Sequence, residues 1–141
     1  TSMEIPYLHG AAMVVPKRTI REIGMMSELF FLYYEELDWS CRINKKYKLV
    51  YFAAAHIYHK ESASTGQDSP LKTFYLTRNR LLFAYRNRSG MSRILAVFYL
   101  IGIANSTRLI KFVFSGMWRH IGAVCSGTWS GIKLFSKKNL S

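Results

Sequence analysis

The sequence predicts an α/β fold that gives way to a basic, helical tail. Three features predict it. Residues 29–34 form a bulky apolar run that ends abruptly in Glu35, Glu36 and Asp38, as a core-forming segment does where a new helix begins. Residues 48–52, KLVYF, read as a strand, because branched and aromatic side chains suit a pleated surface. Asp68-Ser69-Pro70 then places a capping residue before a proline, which is how a helix first turn is written.

Each element has its own logic. If Glu35 opens a helix, residues 35, 38 and 42 share one face. Asp38 and Arg42 then form an i,i+4 pair. Glu36 points about 100° away, toward a cleft. Adjacent carboxylates repel, which raises the proton affinity of at least one. A general base needs that tuning. Acids also favour a helix N-terminus through its dipole, so taken alone the cluster reads first as a solvated first turn.

The helix from Pro70 runs to about Arg88. Its apolar stripe holds Leu71, Phe74, Tyr75, Leu82 and Tyr85, with Arg78 on the same stripe. A cation on a buried face needs an anion. Either the 35–38 carboxylates or a bound diphosphate would serve. Asn79 and Arg80 lie off this stripe, facing either solvent or a site. The small, polar stretch 61–70, ESASTGQDSP, reads as a loop and a boundary.

Charge is unevenly placed. All eight acidic residues lie between Glu4 and Asp68, balanced by eight Lys and Arg; from Ser69 onward there is no acid and twelve Lys and Arg. A basic, aromatic-rich, apolar half seeks an anionic surface. Nucleic acid is set aside as a partner: no binding motif is recognisable, and the long apolar runs suit it badly. Residues 94–107 are 14 uncharged positions between Arg93 and Arg108, and residues 120–132 are 13 more without Lys or Arg. Both fall short of the ~20 residues of a helical span, so buried or interfacial helices are expected. Trp118 and Trp129 suit a headgroup layer.

Cys41 and Cys125 lack metal-ligand spacing, so a reducing compartment is the default. No signal peptide opens the chain, and it starts at Thr1 rather than methionine, as a piece of a longer protein would.

Phe30-Phe31-Leu32-Tyr33-Tyr34-Glu35-Glu36-Leu37-Asp38 with Arg42 resembles the acceptor side of family 2 glycosyltransferases, particularly the rhamnosyltransferase-like bacterial members. Their pattern is a phenylalanine-rich strand end, a tyrosine, an acidic pair, a second acid and an arginine. The family usually has Glu-Asp at the pair; Glu-Glu here keeps the carboxylate and lengthens its arm by one methylene. The flanks extend the resemblance in order over residues 5–90. His9 to Val15 resembles a small-residue strand beside the acceptor, and Lys17 to Gly24 a short helix closed by glycine. Ala55-His56-Ile57-Tyr58-His59 with Ser62 and Ser64 resembles a histidine-and-serine loop, and Arg78-Asn79-Arg80 an arginine-asparagine helix.

The resemblance implies the C-terminal half of a mixed sheet of the glycosyltransferase A type with flanking helices, then the helical tail. Residues 1–68 would be the acceptor-side part, 69–90 the closing helix, and 91–141 a membrane-proximal tail. It implies Glu36 as catalytic base, with Glu35 its substitute if the register slips by one. Gly10, Asp38 and Arg42 would bind the acceptor, although Asp38 could instead fix Arg42. His59, Ser64, Arg78, Asn79 and Arg80 would meet the donor diphosphate, with His59 also a candidate metal ligand. Members normally begin with a nucleotide-binding half whose aspartate-x-aspartate motif holds a divalent metal, Mg or Mn. This sequence has no such motif. The expected partners are a nucleotide-sugar donor, a saccharide or lipid-linked acceptor and an anionic membrane surface. The expected place is the cytoplasm, peripheral on the inner face of the plasma membrane.

Overall fold

The computed structural model describes residues 2–58 and 68–135. It is mixed α/β but mostly helical. The chain divides into two compact units, residues 1–61 and 62–141.

In the first unit, β1 (Ser2–Glu4) pairs antiparallel with β2 (Val50–Phe52), Met3 opposite Tyr51. Lys48 Nζ meets Glu4 Oε2 at 2.9 Å beside this pair. Between the strands lie α1 (Lys17–Ile23) and α2 (Glu35–Ile43). Gly24 follows α1 with a φ of 80°, a conformation that glycine reaches without Cβ strain. Trp39, Ile43 and Leu49 form the buried core, with Ile5, Leu8, Ile20, Ile23 and Met26 packed around it. Trp39 is the bulkiest of the three and still satisfies its indole, donating Nε1–H to the Gly24 carbonyl at 2.8 Å.

Two strand expectations fail here. Residues 9–15 are not a strand, and residues 29–34 form turns and bends instead of a strand end. The described sheet has two three-residue strands, far smaller than the mixed sheet the resemblance implied. An apolar run makes a strand only where a neighbouring edge supplies backbone partners. Residues 29–34 instead turn sharply, with the Leu32 N–H donating to the Phe30 carbonyl at 2.6 Å.

The second unit is helical. The helix α3 (Pro70–Asn87) starts where Ser69 Oγ accepts the Lys72 N–H at 3.1 Å, the cap expected from sequence. Of the stripe read from sequence Leu82 is fully buried, Phe74, Tyr75 and Tyr85 are half-buried and Leu71 is exposed; other buried positions, Thr73, Thr77, Leu81 and Ala84, lie outside it. Asn79, placed off the stripe, is fully buried. The reason is α6 (Trp118–Phe135), which lies along α3 with small residues at the contact. A methyl group on Gly127 would sit 2.7 Å from the Phe74 carbonyl oxygen, and one on Gly131 would sit 3.1 Å from that of Arg78. Glycine at four-residue spacing lets the two backbones approach. Polar side chains on α3 tolerate this contact because they bond within it: Thr77 Oγ1 donates to the Thr73 carbonyl and accepts from Arg108.

Between them, α4 (Gly90–Phe98), a π-helical turn (Tyr99–Ala104) and α5 (Asn105–Phe114) run as one continuous helix, Gly90–Phe114. It is 25 residues long, and by length and composition it could cross a membrane. This corrects the length argument from sequence. That argument stopped at Arg93 and Arg108, but the helix carries both inside it. Within the described residues, almost none of this helix is buried. Asn105 holds its inner side, donating Nδ2–H to Thr128 Oγ1 on α6 at 2.8 Å.

Candidate functional site

The first-turn acids of α2 stand where the sequence put them. What precedes them was not foreseen. Phe31, Tyr33 and Tyr34 all have positive φ, 59°, 65° and 74°, and among the described residues no other non-glycine does. Such conformations cost of order 1–3 kcal/mol each, persist only when surroundings enforce them, and cluster at functional sites. Phe30, wholly buried, anchors the turn, while Phe31 is mostly exposed. Tyr34 occupies the N-cap position of α2 in the left-handed region and makes no side-chain cap. A cap normally has extended geometry, so this strained loop, not a capping side chain, delivers Glu35 and Glu36.

One face of α2 is laced to the irregular segment that follows β1. Asn44 Nδ2 donates to the Pro6 carbonyl at 2.7 Å. Ser40 Oγ, fully buried, accepts the Leu8 N–H at 3.0 Å. Glu36 completes the series beside Gly10, where an added methyl would lie 3.8 Å from its Cδ. The pairs step by four residues on the helix and two on the segment. Gly10 therefore leaves the Glu36 carboxyl uncovered. Ser40 and Asn44 were missed from sequence, although their i,i+4 spacing from Glu36 was there to be read.

The two acids of the pair differ. Burial pushes the Glu35 carboxyl above its ordinary range, helped by the Glu36 charge and opposed by a backbone hydrogen bond. Its Oε2 is buried and has no hydrogen-bond partner among the described residues. Glu36 is partly open.

Asp38 and Arg42 face another way. Asp38 Oδ2 lies 3.4 Å from Arg42 Nε, and the acid side chain is nearly inaccessible. Arg42 donates to the Ile23 carbonyl at 2.9 Å and the Met25 carbonyl at 2.6 Å, closing the orphan end of α1. The geometry gives this pair a positioning role between α1 and α2.

Arg78, Asn79 and Arg80 lie in the second unit on α3. Arg78 Nε donates to Asn79 Oδ1 at 2.9 Å, and its guanidinium lies 5.1 Å from the Tyr75 ring centre. Burial pushes the Arg78 pKa down. His59 and Ser64 lie outside the described residues. Among the described residues no three His, Cys, Asp or Glu gather in a way that could hold a metal ion. The divalent site that the resemblance implied belongs mainly to the half bearing the aspartate-x-aspartate motif, which this sequence lacks. Both cysteines are free thiols.

The site is thus an adjacent carboxylate pair delivered by a strained loop, with Gly10 beside Glu36. The chain is similar to the N-acetylglucosaminyl-diphospho-decaprenol L-rhamnosyltransferase of Mycobacterium tuberculosis, in strains CDC 1551 / Oshkosh and ATCC 25618 / H37Rv. Identity is 31% over 90 residues, which cover 63% of this chain and 29% of the relative. The chain thus spans under a third of the length of the relatives it matches. The similarity is a distant homology to a glycosyltransferase. No family model and no solved structure matches the chain.

Proposed function

We propose that this chain is the acceptor-side portion of an inverting, family 2 glycosyltransferase, attached peripherally to an anionic membrane. One observation carries the reading: the strained loop presents the adjacent Glu35 and Glu36 carboxyls, with Gly10 keeping Glu36 open. In the reaction, Glu36 accepts the proton of an acceptor hydroxyl as that oxygen bonds to the anomeric carbon. The bond from that carbon to the diphosphate oxygen breaks, and the nucleoside diphosphate leaves with the electron pair. A single displacement inverts the anomeric centre. Glu35, whose burial favours its neutral form, limits the charge beside the base. Arg78, Asn79 and Arg80 are the proposed donor-diphosphate contacts. The relative's name specifies a diphospho-decaprenol acceptor, which supports a lipid-linked acceptor here.

The test joins this chain to the in-frame sequence encoded before it and follows sugar transfer from a nucleotide-sugar. Glu36→Gln is expected to lower kcat by about 10²-fold or more, the share of a general base, with the fold intact by circular dichroism. Retention of full activity by Glu36→Gln, and separately by Glu35→Gln, would overturn the assignment. A nonenzymatic membrane module is the second reading, favoured by the open apolar helix Gly90–Phe114. It predicts vesicle binding and no transfer from the joined protein.

A further inference from the structure

A groove opens in the second unit beside the π-helical turn. Its volume is about 410 Å³, within the range of ligand sites. Ile94, Val97, Phe98, Ile101 and Gly102 form one wall, and Tyr85 and Phe135 form the other. Those two rings stack at 4.1 Å between centres, nearly parallel. The lining is almost entirely apolar except for Arg93.

The π-helical turn and the groove share residues. A π turn adds a residue to the helix, a local widening found often at functional sites. Here it spans Tyr99–Ala104 and includes Ile101 and Gly102. Gly102 has no side chain to fill the space; among the described residues, and apart from its own helix backbone, a methyl placed there would meet a Phe98 ring carbon at 4.0 Å.

Arg93 gives the groove its polarity. Its guanidinium lies 4.7 Å from the Tyr85 ring centre, and its Nε–H goes to the Arg88 carbonyl at 2.8 Å. Among the described residues no protein acceptor takes its other N–H donors. No acid lies anywhere after Asp68 in sequence, so nothing within this half competes for a bound anion. The occupant therefore has an apolar chain and an anionic head. A guanidinium fork matches a phosphate by paired hydrogen bonds.

We propose that this groove binds one acyl chain of an anionic membrane phospholipid, with the lipid phosphate held by Arg93. Attachment then combines two modes. The open helix face gives a diffuse apolar contact, and the groove gives a stoichiometric one that selects the headgroup. The site deepens the membrane-attachment part of the proposed function and does not depend on sugar transfer.

The test uses the full chain and a phosphatidylglycerol carrying a photoreactive acyl chain, in anionic vesicles and separately in neutral detergent micelles. Labelled residues are read by peptide mass spectrometry. The expected labels fall within residues 94–102 and at Phe135. Unlabelled phosphatidylglycerol should compete at least 5-fold better than phosphatidylcholine. Gly102→Phe should cut groove labelling at least 5-fold, and Arg93→Gln should abolish the headgroup preference while labelling continues. Val113→Phe, on the same helix but outside the groove, should change neither. Uniform labelling along residues 90–114, equal competition by both lipids, or stronger competition by free palmitate would overturn the site. Groove labelling in micelles with no vesicle binding would sustain the site while sinking membrane attachment.

Discussion

At the residue scale, Glu35 and Glu36 show how one residue type takes two characters from its surroundings. Glu35 is desolvated and carries a buried oxygen without a partner, so its neutral form is favoured. Its folded pKa is above its unfolded value of 4.5, so the folded state binds more protons than the unfolded one. Stability from this group is complete below pH 4.5 and is lost as pH rises through the folded pKa. Glu35→Gln is therefore expected to stabilise the chain slightly at pH 7, by less than about 1 kcal/mol because the carboxyl is partly exposed. The gain should vanish near pH 4. Thermal melts of both proteins at pH 4 and 7 check this, and an equal gain at both values would contradict the desolvation argument.

At the element scale, the α3–α6 pair rests on absent side chains. Gly127 faces the Phe74 carbonyl oxygen across 2.7 Å from where a methyl would be, and that neighbour is backbone. Gly122 on the same helix has nothing beyond its own helix backbone within 4 Å of the equivalent position among the described residues. The same substitution should thus act with opposite signs. Gly127→Ala is expected to destabilise by about 1–3 kcal/mol through overpacking. Gly122→Ala should stabilise by up to about 1 kcal/mol, since alanine holds a helix better. Denaturant melts of the two variants measure the contrast. On α2, Ser40→Ala would leave the part-buried Leu8 N–H without its side-chain acceptor and should cost about 0.5–1.5 kcal/mol. In the joined enzyme it should also raise KM for the acceptor, because the segment bearing Gly10 loses its register.

At the scale of the whole chain, charge and apolar surface point the same way. The half after Asp68 holds twelve Lys and Arg and no acid. It also leaves Met91, Ile94, Leu95, Phe98 and Tyr99 exposed, with Trp118 and Trp129 exposed on α6. An apolar stripe of this extent marks an interaction surface. Lys133 lies 5.1 Å from the Trp129 ring centre, pairing a cation with an interfacial aromatic. Binding to vesicles containing phosphatidylglycerol is expected to weaken as salt rises from 0.05 to 0.5 M, roughly the range over which screening shortens from above 10 Å to below 5 Å. A salt-insensitive residue should remain from apolar insertion. Co-sedimentation with vesicles reads both parts, and binding indifferent to salt and to lipid charge would remove the electrostatic half.

What the sequence determined by itself is local or compositional. The Ser69 cap with Pro70, the short helix closed at Gly24, the strand near Val50 and the Asp38–Arg42 pair each depend on residues a few positions apart. The charge division is simple counting. The tertiary structure alone decided which faces are covered. Nothing local in Thr73, Thr77 and Asn79 marks them as inner positions; the close approach of Gly127 and Gly131 set Thr77 and Leu81 on the contact face of α3. Residues 29–34 look like a strand because they are apolar, yet a strand needs an edge to pair with, and the chain turns there through three strained residues instead. The 90–114 helix was cut short in the sequence reading because Arg93 and Arg108 looked like ends. A helix continues past a charge whenever that side chain finds a partner, as Arg108 does at Thr77. The site divides in the same way. Its carboxylates were legible as a motif, while the register that sets Gly10 against Glu36 arose only when Ser40 and Asn44 gripped a segment more than 30 residues away.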